Sequence, residues 1–284
     1  MTPLTIRGCI TIALLALSAC GPPTAAPIQD PPSNSLFAAE PEQQWRLPDR
    51  LREISGLAAG ADGRLFGHDD EQAVIYQIDA ARGVLVKAFA LGDPIERGDF
   101  EGLAITPDGE FWMTTSAGRL FRFHEGADGA HIRFDTHDLD LADVCEIEGL
   151  AYLAAERSLI LACKHNQARE MSGAIQLLAW PIGGDATRPW LRLSEAGLAQ
   201  AASVRRFRPS SLDIDARGNR LLLLSAFDGA LAELSLDGEI LSARRLNPTH
   251  VQAEGVAVLG DGGVVIADEG VQGQPLLSRY GPAS

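Results

Sequence analysis

The sequence has no Gly-x-Ser-x-Gly elbow, no His-Glu-x-x-His pair, no Walker loop and no dinucleotide fingerprint, so the common signatures of nucleophilic hydrolases, zinc proteases and nucleotide enzymes are missing. Basic residues are scarce as well: 24 Lys and Arg stand against 38 Asp and Glu, a net charge of −14. A surface of that sign repels phosphate backbones and anionic headgroups, which disfavours nucleic acid and makes cations the natural partners. The histidines, His68, His124, His131, His137, His165 and His250, show no ligand spacing and read as surface or turn residues. Zinc or copper would recruit histidine or thiolate, so neither is expected. Aromatic residues make up 6% of the chain, and Trp45, Trp112, Trp180 and Trp190 fall within β-rich runs, where they read as core.

No apolar run is long enough to span a bilayer. Ile10 to Leu17 follows Arg7 and leads into Leu17-Ser18-Ala19-Cys20, the pattern of a bacterial lipobox. Residues 1–19 therefore read as a lipoprotein signal, with Cys20 lipidated; the alternative is an ordinary cleaved signal in which Cys20 is incidental. Gly21, where an Asp would mark inner-membrane retention, favours an outer-membrane lipoprotein facing the periplasm. Residues 20–42 hold Pro22, Pro23, Pro27, Pro31, Pro32 and Pro41 without apolar periodicity, as a semi-extended linker does. Of four cysteines, Cys9 leaves with the signal and Cys20 is the lipidation site. Cys145 and Cys163 end neighbouring strands, where an exported compartment permits a disulfide; the alternative is a pair of buried thiols.

Residues 43–284 repeat. The copies read Glu53-Ile-Ser-Gly56-Leu-Ala, Asp99-Phe-Glu101-Gly102-Leu-Ala-Ile, Glu146-Ile-Glu148-Gly149-Leu-Ala-Tyr, Arg208-Pro-Ser-Ser211-Leu-Asp-Ile and Gln252-Ala-Glu254-Gly255-Val-Ala-Val. Their key positions lie 46, 47, 62 and 44 residues apart, the period of a four-stranded propeller blade. In this reading the key glycine forms a turn at the head of the innermost strand. A second glycine follows seven residues later in four units, as Gly63, Gly109, Gly218 and Gly262, at a tight hairpin. The long third interval is assigned to one short helix around Ser194 to Ser203. Strands are expected over Ile54–Ala58, Arg64–His68, Ala73–Ile78 and Val84–Ala90 in the first unit, and the second unit ends in one strand over His131–His137. After Leu276–Tyr280 too little chain remains for an outer strand, so Gln43–Leu47 is expected to supply it. The expected fold is an all-β, five-bladed β-propeller closed by its N-terminal strand, a monomer.

Equivalent inner-strand positions converge on one channel in a propeller, which brings Glu101, Glu148 and Glu254 together with Ser55 and Ser210. Three carboxylates at one mouth repel unless they are protonated or neutralised. An oxygen-only donor set suits a hard cation, and Ca²⁺ is the expected cofactor; the alternative is a water-filled acidic channel. Glu53, Asp99 and Glu146 are candidates for an outer ring, and Asp69 and Asp268, in His68-Asp69-Asp70-Glu71 and Ala267-Asp268-Glu269-Gly270, for loops at the same mouth. Each of these also reads as a solvated turn former. Lys164 and Asp228 fall at comparable places.

These stretches, with Leu47-Pro-x-x-Leu51, Cys145-Glu-Ile-Glu-Gly-Leu-Ala-Tyr152 and Leu161-Ala-Cys-Lys164, resemble the SdiA-regulated family from about Trp45 to Tyr280. The resemblance implies a five-bladed propeller with a calcium site and no established activity. A more distant likeness reaches the gluconolactonase, paraoxonase and NHL-type propellers. In the gluconolactonase and paraoxonase propellers an acidic or amide residue before the inner-strand glycine holds a catalytic calcium; this chain departs in blade number and lacks an Asn ligand there. Two functions follow as expectations: a calcium-binding envelope module for a small ligand or an envelope protein, or a calcium-dependent lactone or ester hydrolase.

Overall fold

The structure, a computed structural model, describes residue 35 and residues 40–166, 172–215, 217, 219–271 and 273–282. The signal, Cys20 and most of the proline-rich segment lie outside the described residues. Five antiparallel sheets surround one axis. Blade 1 is β2 (Ile54–Ala59), β3 (Leu65–Asp69), β4 (Val74–Asp79) and β5 (Val84–Leu91). Blade 2 is β6 (Phe100–Ile105), β7 (Glu110–Thr115), β8 (Arg119–His124) and β10 (Asp135–Asp138), and blade 3 is β11 (Cys145–Leu153), β12 (Ser158–Asn166), β13 (Ala174–Pro181) and β14 (Arg188–Ser194). Blade 4 runs through β15 (Ser211–Asp215), β16 (Arg220–Ser225), β17 (Ala230–Ser235) and β18 (Ile240–Arg245). Blade 5 is β19 (Ala253–Val258), β20 (Val264–Asp268), β21 (Leu276–Tyr280) and, as its outer strand, the N-terminal β1 (Gln43–Arg46), which pairs Gln43 with Arg279 and Arg46 with Leu276. The expected closure is present.

The core is divided into five. Each buried cluster lies between two adjacent blades: Phe66, Phe89, Phe111 and Phe121 between blades 1 and 2, Trp112 and Trp180 with Leu159 between 2 and 3, and Ile160 and Leu177 with Leu221 between 3 and 4. Leu224 and Ile266 join blades 4 and 5, and Leu57 and Val265 join 5 and 1. A blade alone would expose both apolar faces, so the ring is stable only as a whole.

Three local expectations are corrected. The key glycines make no turn, for none of Gly56, Gly102, Gly149 and Gly255 has positive φ. They sit inside the innermost strands, where neighbouring blades meet backbone to backbone. A Cβ at Gly102 would lie 2.5 Å from the Leu150 nitrogen, and one at Gly149 would lie 2.6 Å from Leu212 Cδ2. The hairpin glycines do need positive φ, with values of 80, 84 and 92° at Gly63, Gly109 and Gly262, while Gly218 lies outside the described residues. Where blade 3 lacks that glycine, a 3-10 turn over Ala154–Glu156 ends on Arg157 in the left-handed region. Second, the strand expected over His131–His137 divides: β9 (His131–Ile132) adds in parallel to β5 of blade 1, and only β10 completes blade 2. Phe134, in the break, packs into the cluster between those blades. Third, His68 and His250 are buried rather than on the surface.

The insertion of blade 3 is the helix α1 (Glu195–Ala201), with Ser194 Oγ accepting from the Gly197 nitrogen at its N-cap. Leu198 and Ala199 face the core, and no described helix is long and apolar enough to cross a membrane. Within the segment read as linker, Ser35 is buried and donates to Glu233 Oε1 at 2.5 Å.

Candidate functional site

The innermost strands begin on one face of the ring, here the upper face, and a bulge shapes each start. In β2 the ladder pairs Ile54 with Asp69 and then Gly56 with His68, leaving Ser55 unpaired; in β6 Glu101 is left out in the same way, and in β19 Glu254. Blade 3 carries an irregularity between Ile147 and Leu150 that includes Glu148. A bulged residue is released from strand alternation and re-aimed. The Glu-Gly pair thus has two roles: the bulge turns the glutamate to the channel, and the glycine lets the next blade approach. The innermost strand of blade 4 pairs without a bulge, and Ser210 Oγ instead bridges the Ala253 carbonyl and the Ala226 nitrogen, each at 3.0 Å.

Glu101, Glu148 and Glu254 meet around the axis closely enough to repel one another. Burial first, then the Glu148 charge, pushes the Glu101 carboxyl well above the usual carboxylate range. Burial raises Glu254 to about 8, with Glu269 and Glu148 adding to it. Burial also raises Glu148, against the pull of Lys164, whose Nζ donates to Glu148 Oε1 at 2.7 Å. The sequence contains only two lysines, and this one stands among the three inner carboxylates, of which Glu148 is buried and Glu101 and Glu254 are half-buried. Burial opposes its charge, but the Glu148 hydrogen bond and the surrounding acids outweigh that and hold the ammonium above the ordinary lysine value. A cation from the chain itself therefore partly neutralises the trio.

The tightest acidic group lies one step outward. Carboxylate oxygens of Glu53, Asp70 and Glu269 lie within 4.8 Å of one another, the group of this kind found among the described residues. Burial and then the Asp69 charge raise Asp70 to about 6; burial and then Asp70 raise Glu269 to about 7. Asp70 Oδ1 is buried without a hydrogen-bond partner. The donors are all oxygen, and an orphaned one faces no protein donor, so the group fits a hard cation such as Ca²⁺ better than the Lys164-bearing trio does.

The remaining candidates separate. Asp69 is held by its own loop: its Oδ1 accepts from the Gln72 nitrogen at 2.9 Å and the Glu71 nitrogen at 3.2 Å. Asp268 is 2% exposed and bonds His250 Nδ1 at 2.6 Å, while His250 Nε2 meets the Tyr280 hydroxyl at 2.5 Å. In both loops the acid one residue later, Asp70 or Glu269, is the one that joins Glu53 in the acidic group, while Asp268 lines a cavity of the upper face beside Glu269. Of the outer ring, Glu53 joins the cluster, Asp99 is exposed and accepts from Ser116, and Glu146 meets His165 Nδ1 at 3.0 Å. Cys145 and Cys163 are bonded to each other, beside Glu146 and Lys164. Arg208 and Gln252 hold the ring position in blades 4 and 5 and were not singled out from the sequence; their place in the repeat was the available signal. Gln252 Nε2 donates to Glu269 Oε2 at 2.5 Å.

The two ends of the channel differ. The lower opening is a cavity of about 230 Å³ lined by Ala58, Ile105, Tyr152, Ile214 and Val258, one from each blade. At the upper face a cavity of about 830 Å³ lies beside the acidic group, with Arg52, Val251, Glu269 and Val271 in its wall.

Solved structures support the architecture. Glutaminyl cyclase of Myxococcus xanthus superposes with a TM-score of 0.58 at 15% identity, over 86% of this chain and 97% of that one. The PQQ-bound form of aldose sugar dehydrogenase from Streptomyces coelicolor gives 0.56 at 14% identity, over 88% and 99%. At such identities the likeness concerns the fold alone. No curated protein matches the sequence. The model of one family matches residues 42–270, nearly all of the ring, and the chain belongs to the SdiA-regulated family.

Proposed function

We propose that the propeller is a binding module that holds a divalent cation, Ca²⁺ by its donor set, at the upper mouth and presents it to a ligand. The observation that carries this reading is the convergence of carboxylate oxygens of Glu53, Asp70 and Glu269 within 4.8 Å of one another, in a group that includes an Asp70 oxygen with no protein partner. Glu254 and Glu101 lie behind them as further acids. A bound ion would supply a Lewis-acidic centre and relieve the repulsion that raises Glu269 and Asp70. Lys164 fixes Glu148 and keeps the inner trio from needing a second ion. Calorimetry tests the reading: wild type takes up one Ca²⁺, Glu269→Gln weakens uptake at least about tenfold by removing one charged ligand, and Glu148→Gln weakens it less. Equal uptake by wild type and Glu269→Gln, or none by either, sinks it.

The same proposal places the module in the envelope, tethered through lipidated Cys20 to the outer membrane. The lipobox and the proline-rich segment support this. Detergent-phase partitioning that is lost in Cys20→Ser is the expected result. The hydrolase reading rests on one observation, a lysine beside a carboxylate of raised pKa at the channel, and requires calcium-dependent turnover of lactones or aryl esters.

A further inference from the structure

Three residues before the key position the five blades carry Glu53, Asp99, Glu146, Arg208 and Gln252, so a single cation stands in an otherwise acidic and amide ring. Arg208 is half-buried, and no carboxylate among the described residues accepts from its guanidinium. Its Nε is buried without a hydrogen-bond partner. Nη1 donates to His165 Nε2 at 3.2 Å, which fixes the imidazole to donate through Nδ1 to Glu146 at 3.0 Å. Cζ lies 4.6 Å from the centroid of the Phe227 ring. Phe227 is itself 66% exposed, on the loop between β16 and β17, and its neighbour Asp228 forms no ion pair with the arginine.

This arrangement has an energetic cost as a purely internal one. In a chain of net charge −14, an arginine surrounded by acids gains most by pairing with one of them. Here an imidazole at one edge and an aromatic ring at one face hold the guanidinium plane instead, leaving its fork unclaimed by any carboxylate. A guanidinium oriented in this way matches the two oxygens of a carboxylate or phosphate, and an exposed phenyl ring beside it matches an apolar body. The Lys164 ammonium on blade 3 adds positive potential on the same side of the mouth, opposite the acids of blades 1 and 5.

We propose that Arg208 is the oxyanion subsite of the upper mouth, and that the ligand is a small carboxylate or phosphate whose apolar part packs on Phe227. This rests on the reading of the upper face as a ligand mouth but does not require the cation. Titrations of benzoate and of inorganic phosphate, each in calcium and in chelator, test it. Benzoate should saturate in both conditions, Arg208→Gln should weaken it about tenfold or more, and Arg208→Lys should recover part of the loss. Phe227→Ala should weaken benzoate and leave phosphate unchanged. Wild-type affinity in Arg208→Gln, or no saturation by either anion on the wild type, overturns the proposal. Calcium uptake without anion binding removes this subsite alone, whereas anion binding in chelator without any calcium uptake removes the cation reading alone.

Discussion

Single residues set the geometry of this mouth through space and charge. Gly102 has ordinary φ, so its requirement is steric: a methyl group there meets the Leu150 backbone at 2.5 Å, and backbone yields poorly. Gly102→Ala should cost about 1–3 kcal/mol in urea unfolding, from forced separation of blades 2 and 3. Charge acts through pH. Burial pushes the His68 imidazole down from 6.5 to about 4, so the unfolded chain binds that proton more readily than the folded one. Its contribution is complete above pH 6.5 and lost as pH falls towards 4, by about 3 kcal/mol in all. Glu254 and Glu269 act in the opposite sense: raised from 4.5 to about 8 and about 7, they stabilise fully below pH 4.5 and lose that contribution as pH rises through 7 and 8. Above pH 6.5 only the carboxylate effect changes with pH, so in chelator the urea midpoint should fall between pH 6.5 and 8. Glu254→Gln should flatten that fall, and a wild-type midpoint rising over the same range would contradict it.

Elements carry the same logic at larger size. The repeat was legible because each blade must form an inner strand with its apolar side on a neighbour, and the five copies, the short helix and the closing strand all follow from that need. The bulge was hidden, since an unpaired residue leaves no mark in composition. The two mouth loops were legible as acidic stretches, but nothing in them says that Asp70 and Glu269, rather than their neighbours Asp69 and Asp268, join Glu53 in one cluster. The outer-ring Arg208 was legible only as a departure from the repeat. Beside the bulge of blade 3, the disulfide between Cys145 and Cys163 closes a loop of 18 residues. Replacing both with alanine should lower stability by about 3 kcal/mol by the loop-entropy relation, and reductant should have no further effect on that variant.

For the whole molecule, the five interfaces are one cooperative ring whose seam is β1 on β21. A chain lacking residues up to Arg46 leaves β21 as an unpaired edge beside Leu277 and Tyr280. It should self-associate in light scattering and lose its single sharp unfolding transition; a monodisperse variant with unchanged melting would show the seam to be dispensable. The seam also sets an order in time. β1 is among the first parts of the domain to be synthesised and β21 the last, so the opening strand has no partner until nearly the whole domain has been delivered. Its composition suits the delay: of Gln43, Gln44, Trp45 and Arg46 only the tryptophan is apolar, so the waiting segment offers little for aggregation. Release of the final strand is then the event that completes the ring, and a nascent chain stalled before Leu276 has four finished blades and an unclosed fifth.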